Sequence, residues 1–393
     1  MTAGAILVIN AGSSSLKFAL FDAAAGLARM AGGKVERIGR GAFLRAARAS
    51  EEPSERTLAQ DAGHAAALDA VLAWLDANMP HARPAIVGHR VVHGGMDFVA
   101  PARVDDGVLD ALERLDPLAP LHQPYNLAAI RRLRERQPDL EQIACFDTAF
   151  HAHWPDRARR FALPRALHDA GVRRYGFHGL SYDYLASELA RIAPDAKRCV
   201  FAHLGSGASV CAVRDGVSLD CSLGFTALDG LPMGTRCGPL DPGVPFHLLR
   251  TTGMDAAAVE HMLYHDSGLL GISGIGADMR DLLASDAPAA REAFDLFTYQ
   301  CARQIAAMTV ALDGLDALVF SGGIGENAAP VRAAIGAMLG VLGVRIDPDA
   351  NARNAGEIGA VGSAVRVRVL PTDEEIVIAR ACIVHSGARG VST

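Results

Sequence analysis

Apolar and polar positions alternate in short blocks from the start of the chain. Residues 6–9 are apolar, a small-residue stretch centred on Gly12 follows, and a second apolar run ends at Asp22. Two apolar runs flanking a Gly/Ser turn predict a β-hairpin. The turn offers main-chain N–H groups, the hydroxyls of Ser13, Ser14 and Ser15 and the ammonium of Lys17, a set suited to phosphate oxygens. It is not a Walker loop, because no Gly-Lys-Ser/Thr follows the glycine at the required spacing. A shift of 193 positions lays residues 200–216 (VFAHLGSGASVCAVRDG) over this segment without gaps, with Gly12 on Gly205, Ser13 on Ser206, Ala19 on Ala212 and Asp22 on Asp215. A matched hairpin in each half predicts a duplicated α/β lobe.

Two facing lobes, each with such a hairpin, would form a nucleotide cleft, which by analogy is the plan of sugar kinases, actin and the heat-shock ATPases. Between the hairpins, residues 32–55 read as a strand with surface loops. Residues 57–79 carry Leu68, Val71, Leu72 and Leu75 at helical spacing. Residues 86–95 predict a short buried strand ending in His89, Arg90 and His93. Residues 143–151 predict another, ending in Asp147, Thr148 and His151. Polar groups at strand ends face a cleft in open α/β sheets. A surface-pairing arginine beside packed histidines is the competing reading. A Pro-bounded loop at 118–127 holds His122 ahead of a helix at 126–136, and His178 stands between two glycines ahead of a helix at 181–192.

In the second half, the Gly/Pro-dense loop 222–244 holds a single arginine, Arg236. A loop of that length in a compact fold is usually functional. Residues 274–281 open a loop-to-helix unit, and 291–312 predict a long helix. Residues 319–327 (VFSGGIGEN) predict a strand running into glycines, with Pro330 placed for the first turn of the next helix. At the end, Thr372 is expected to cap a helix with Glu375 as its capping-box partner and Glu374 beside it.

Composition narrows the class. The 393 residues hold two domains' worth of chain, half of them hydrophobic and 21% charged. A formal net charge of −6 argues against general nucleic-acid binding. Seven scattered cysteines with no CxxC pair fit reduced packing thiols. The first residues lack the basic stretch of a signal peptide, and no apolar run reaches the ~18 residues of a membrane span. A cytoplasmic protein without membrane or nucleic-acid partners is expected.

The segments VINAGSSSLK, GHRVVHGG, LAPLHQPYNL, CFDTAFH, RRYGFHGLSY, HLGSGAS, GLPMGTRCGPLDPG, SGGIGEN and TDEEIVIAR, in this order along the whole chain, resemble the acetate kinase family. The resemblance implies a duplicated two-lobe, ribonuclease H-like α/β fold of the actin and sugar-kinase type, with the active site in the interlobe cleft. Residues 1–150 with 371–393 would form the acetate and metal lobe, and residues 151–370 the nucleotide lobe. It also implies a homodimer that reversibly makes acetyl phosphate and ADP from acetate and ATP, with Mg²⁺ or Mn²⁺.

Carried over position by position, the resemblance puts Asn10 and Glu374 on the metal and Lys17 on the nucleotide phosphates. Arg90 matches the substrate arginine, Asp147 the catalytic carboxylate, and His178 and Arg236 the transition-state stabilisers. Val92, Leu121, His122, Phe177 and Ala227 fall on the substrate site. His203, Leu204, Gly205, Ser206 and Gly207 fall on the ATP site, as do Asp278, Met279, Arg280, Gly323, Ile324, Gly325, Glu326 and Asn327. The sequence departs from the family pattern at Ser206 (commonly Asn), Ala227 (commonly Pro, beside the acetate methyl) and Met279 (commonly Phe).

Phosphoryl transfer needs in-line positioning and cations around the equatorial oxygens. Arg90, Arg236 and His178 can supply such a clamp. A carboxylate nucleophile is already ionised, so Asp147 is expected to orient Arg90, Arg236 or a magnesium-bound water. Direct transfer without a phosphoenzyme follows. A propionate kinase of the same family is the close alternative, with Val92 at a position where a smaller residue would favour a longer acyl chain. An actin- or chaperone-like ATP-driven clamp is the alternative from a different class.

Overall fold

The computed structural model describes residues 4–387, so residues 1–3 and 388–393, which the sequence assigns to the first lobe, lie outside it. The described chain divides into two compact units, residues 4–149 with 373–387, and residues 150–372.

The predicted first hairpin is β1 (Ala5–Ala11) against β2 (Ser15–Asp22). The stretch read as one strand with loops instead extends the meander through β3 (Ala28–Glu36), β4 (Phe43–Arg48) and β5 (Ser54–Thr57). β3 and β4 each bury two positions, Ala31 with Val35 and Leu44 with Ala46, whereas β5 is exposed throughout, so hydrophobic periodicity gave no signal for it. Parallel strands β6 (Pro84–Val91) and β8 (Glu141–Phe146), with the two-residue β7 (Ala102–Arg103), complete an eight-stranded sheet of order β5-β4-β3-β2-β1-β6-β8-β7.

In the second unit, β9 (Arg198–Leu204), β10 (Ala208–Arg214), β11 (Val217–Cys221), β12 (Ala317–Ser321) and β13 (Arg366–Val369) form a sheet of order β11-β10-β9-β12-β13. Here too three antiparallel strands lead and two parallel strands follow. This is the arrangement of β3-β2-β1-β6-β8 in the first unit. The same order and direction in both units bears out the duplicated α/β fold.

The copies are not in identical register. The last pair in the first hairpin is Ala11 with Leu16, leaving four residues in the turn. In the second it is Leu204 with Ala208, leaving three. The slip sets Ser209 across from His203, where the ungapped alignment would put Val210.

One face of the first sheet (Leu7, Ile9, Phe18, Leu20) packs under the helices His64–Asn78 and Gln123–Arg136 through Leu68, Val71, Ala129 and Leu133. The other face lies under the C-terminal helix Glu374–Gly387. Gly88 permits that contact, since a Cβ there would sit 2.3 Å from Cγ2 of Ile378 and 2.8 Å from Sγ of Cys382. The closing helix therefore comes down beside the ends of β1 and β6.

The cap of that helix is Asp373, whose Oδ1 accepts the Ile376 N–H at 3.0 Å. Thr372, expected in that role, has its Oγ1 buried without a hydrogen-bond partner. Elsewhere the helices Gly179–Ile192, Pro288–Leu312 and Ala329–Met338 fall on the predicted segments, and Pro330 occupies the first turn of the last. Six of the seven cysteines are buried, and all are free thiols. Among the described residues no helix is long and apolar enough to cross a membrane.

Candidate active site

Each unit carries one constellation of the expected residues. In the first, β6 ends at Val91 and delivers Arg90; Asp147 follows the end of its neighbour β8. Asp147 is 1% exposed, and both its carboxylate oxygens accept from Arg90, with Nη2 to Oδ2 at 2.6 Å and Nε to Oδ1 at 3.1 Å. A bidentate pair of this kind fixes the plane of the guanidinium. The remaining nitrogen, Nη1, lies 3.4 Å from Oδ1 of Asn10 and 3.7 Å from Oε2 of Glu374. Residues 10, 90, 147 and 374 thus meet around one guanidinium.

Burial alone would lower the pKa of Arg90, but the Asp147 and Glu374 carboxylates outweigh it and raise it, so the guanidinium stays charged. Burial pushes the Asp147 carboxyl above its ordinary range and the Glu374 charge adds to this, while the Arg90 contact opposes both. The strand ends are fixed by Asn126 and Gln123, which the sequence reading did not single out, and by Thr148, which it placed in the polar cluster. Asn126 accepts the Val92 N–H at 3.0 Å and donates to Ala11 O at 2.5 Å. Gln123 brackets His93, accepting its N–H and donating to its carbonyl, and Thr148 accepts the Gly94 N–H. Asn126 and Gln123 lie in the quoted LAPLHQPYNL motif, but their role is visible only once the helix stands against the strands.

Of the remaining first-unit candidates, Val92 is buried beside Asn126, Leu121 is half-buried, and His122 stands at the N-cap of the helix Gln123–Arg136. Lys17 pairs across the hairpin with Asn10 and projects to its exposed side. His151, expected beside Asp147, belongs to the second unit. There its ring bonds Oγ of Ser218 and the Phe177 carbonyl, a structural role.

In the second unit, His178 caps the helix Gly179–Ile192 in a left-handed conformation (φ 58°). Its ring stacks near His203 with centroids 4.5 Å apart, and a Cβ on Gly207 would come within 3.3 Å of its Nε2. Nδ1 lies 2.8 Å from Oγ of Ser209, which lies 2.5 Å from the Tyr182 hydroxyl. The Tyr182 oxygen also takes the His203 main-chain N–H, and burial holds the phenol protonated. With that oxygen already accepting, every buried donor is satisfied when Tyr182 donates to Ser209 and Ser209 donates to Nδ1. The ring is then neutral with its proton on Nε2, beside the Gly207 turn.

Arg236 sits in the irregular loop between β11 and the helix Gly243–Thr251, as expected. Its Nη1 donates to the Ala227 carbonyl at 3.0 Å, so Ala227, read as a pocket wall, also anchors the arginine. The neighbouring Gly234 N–H reaches Ser206 O at 3.5 Å, tying this loop to the hairpin turn.

A cavity of about 700 Å³ is lined by Gly205, Ser206, Asp278, Met279, Arg280, Gly323, Ile324 and Asn327, together with Ala277, Leu283, Ala328 and Pro330. This is the size of a small-molecule site. Asp278 caps the short helix Met279–Leu283 and holds Arg280 at 2.5 Å. The glycines after β12 are themselves helical, Gly322–Asn327. Gly322 is required at its start, with φ 75° and room for no Cβ, which would lie 2.7 Å from Leu204 O.

Other expected nucleotide residues support the cavity without lining it. Leu204 and Gly325 are buried, and Glu326 accepts the Gly322 N–H at 2.9 Å. Sequence reading also missed Arg332, which is fully buried. It reaches the Gly325 carbonyl, the Asn351 carbonyl and side chain, and the Asn354 side chain, bracing the glycine turn from behind.

The sequence model of the Acetokinase family matches residues 5–380. An acetate kinase of Methylocella silvestris is 49% identical over 388 residues, covering 95% of this chain and 96% of that protein. A solved propionate kinase from Francisella tularensis superposes with a TM-score of 0.91 at 35% identity, covering 96% of this chain and 98% of that one. A Porphyromonas gingivalis acetate kinase does so at 0.87 and 35%, covering 97% and 99%.

Proposed function

This chain belongs to the acetokinase family, and on that premise we propose that it transfers the γ-phosphoryl group of ATP reversibly to acetate, giving acetyl phosphate and ADP. The observation that carries the reading is the convergence of Asn10, Arg90, Asp147 and Glu374 around one guanidinium. Asp147 occupies the Nε and Nη2 edge of that guanidinium, which leaves Nη1 to meet a substrate oxygen. The 700 Å³ cavity at the Gly-rich turns is the proposed ATP site.

Acetate arrives as an anion, so no base is needed to make it a nucleophile. Asp147 has both oxygens on Arg90, and we assign it the positioning of that guanidinium rather than proton abstraction. Arg90 orients the acetate and Arg236 meets charge on the moving phosphoryl group. His178 donates Nε2–H to the same oxygens, in the tautomer that Ser209 and Tyr182 select.

Asn10 and Glu374 offer two hard oxygens, neutral and anionic, on either side of the same nitrogen. They suit a Mg²⁺ ion, which keeps several waters and binds phosphates in addition to one or two protein ligands. Mn²⁺ accepts the same donors. Among the described residues no group of three or more His, Cys, Asp or Glu side chains is arranged to hold a metal, so phosphate oxygens and water would complete the shell. The ion would neutralise charge on the phosphate chain.

A homodimer in the cytoplasm is part of the same reading. The helix Gly243–Thr251 has no buried residue and exposes Phe246 and Leu249 on one face, with Val244 on the other, apolar surface that a second copy would cover.

Hydroxylamine trapping tests the reaction. Acetohydroxamate should form only with acetate, ATP and magnesium together; ATP hydrolysis indifferent to acetate would instead indicate an ATP-driven clamp. Ala227 favours propionate as a second substrate, since proline there would narrow the wall while leaving the carbonyl that holds Arg236. Ala227→Pro should therefore shift kcat/KM towards acetate by about tenfold; an unmoved ratio removes Ala227 from the acyl pocket.

A further inference from the structure

One row across the first sheet carries more positive charge than its stability explains. In register, Asn10 faces Lys17, Lys17 faces Lys34, and Lys34 faces Arg45. Cross-strand partners project from the same face, and like charges directly opposite each other are destabilising. Partial compensation comes from exposed acids alongside: Lys34 Nζ lies 2.8 Å from Glu36, and Arg45 Nε lies 3.6 Å from Glu55.

Beside this row the sheet has almost no side-chain bulk, at Gly32, Gly33, Ala46 and Ala47. Arg29 lies over Gly32, where a Cβ would sit 2.5 Å from its Nη2. Pro53 and Glu375, the latter facing Arg29, complete a groove of about 350 Å³. Glu375, expected to close a capping box, is a wall residue here.

We propose that this groove is a second oxyanion site, holding a di- or triphosphate chain between the Lys17–Lys34–Arg45 row and Arg29. Strands lie ~4.8 Å apart, so the row spans ~10 Å. That is too long for one tetrahedral anion and suited to linked phosphates. Lys17 belongs both to this row and to the proposed nucleotide contact, so the site rests on that reading at one residue only. Lys34, Arg45 and Arg29 have no part in the reaction.

Equilibrium dialysis of labelled pyrophosphate against the full chain tests the site, with ADP saturating and free magnesium held constant. Wild type should retain pyrophosphate beyond the ADP-occupied site. Lys34→Gln/Arg45→Gln should weaken it by tenfold or more, on the order expected for two charge-assisted contacts at a partly exposed site. Both side chains are exposed on outer strands, so the melting temperature should hold, as should the ATP KM. Labelled ATP in the same dialysis identifies the source of the chain: a second equivalent of ATP in place of pyrophosphate supports a nucleotide tail. Retention of neither probe, or equal retention by the double variant, overturns the proposal. Acetohydroxamate formation on the same samples reports the reaction separately.

Discussion

At the residue scale, the roles proposed for His178 and Arg90 set a donor and a cation at a phosphoryl group in two ways. His178 has φ 58°, a region that costs a non-glycine residue ~1–2 kcal/mol. Asparagine tolerates that region. His178→Asn relieves that strain but strands the buried Ser209 hydroxyl, so the melting temperature should change little, while kcat falls by ~10²–10³ through the lost donor. A lowered melting temperature with unchanged kcat would make the residue a helix cap and nothing more. Arg90 differs because its partner is buried. Arg90→Ala strands the Asp147 carboxyl and should cost ~3–5 kcal/mol of stability as well as activity. Arg236→Ala, which removes a cation from the proposed phosphoryl site, should lower kcat by ~10²–10³. Denaturation and kinetic measurements on both variants check this; unchanged kcat in Arg236→Ala, or unchanged stability in Arg90→Ala, would contradict the assignment.

At the element scale, the hairpins were legible as a repeated Gly/Ser turn between apolar runs, because turn chemistry and alternation both act locally. The one-residue slip between them was not, since register is settled by how each strand meets its neighbours. That slip has chemical weight: it gives His203 a hydroxyl, Ser209, as cross-strand partner, and Ser209 is what selects the His178 tautomer. The outer strands β4 and β5 were missed for a related reason. β5 is exposed throughout, so no core face marks it, and β4 buries only Leu44 and Ala46, too few positions to stand out in a charged, small-residue stretch. Arg332 was invisible in sequence because a buried arginine reads as a surface one until its carbonyl partners are seen. The C-terminal helix brings Glu374 back to β1, a contact that spans nearly the whole chain. Glu374→Ala should raise the magnesium concentration for half-maximal rate. Asp373 holds the cap, so the melting temperature should change little. Normal magnesium dependence with a lowered melting temperature would reverse that assignment.

At the scale of the whole molecule, three buried histidines link stability to pH in both units. Burial lowers His89, His93 and His151 to about 4. Their folded pKa values lie below the unfolded value near 6.5, so the unfolded chain takes up protons first as pH falls. The stability they contribute is full above about 6.5 and is lost towards about 4, up to ~3 kcal/mol for each. The melting temperature should fall across that window, and His89→Gln or His151→Gln should flatten the slope; a flat wild-type profile would contradict the burial. The paired sheets and ordered motifs made the fold and the reaction class readable from sequence. Which residues support the site, rather than line it, required the packing.

The most direct test of the central claim is the stereochemistry at the transferred phosphorus. Nucleotide made chiral at the γ-phosphorus with oxygen isotopes is turned over with acetate, and the configuration of the acetyl phosphate is read. A single in-line displacement predicts inversion. Retention would require two displacements and a phosphorylated enzyme, and would contradict direct transfer.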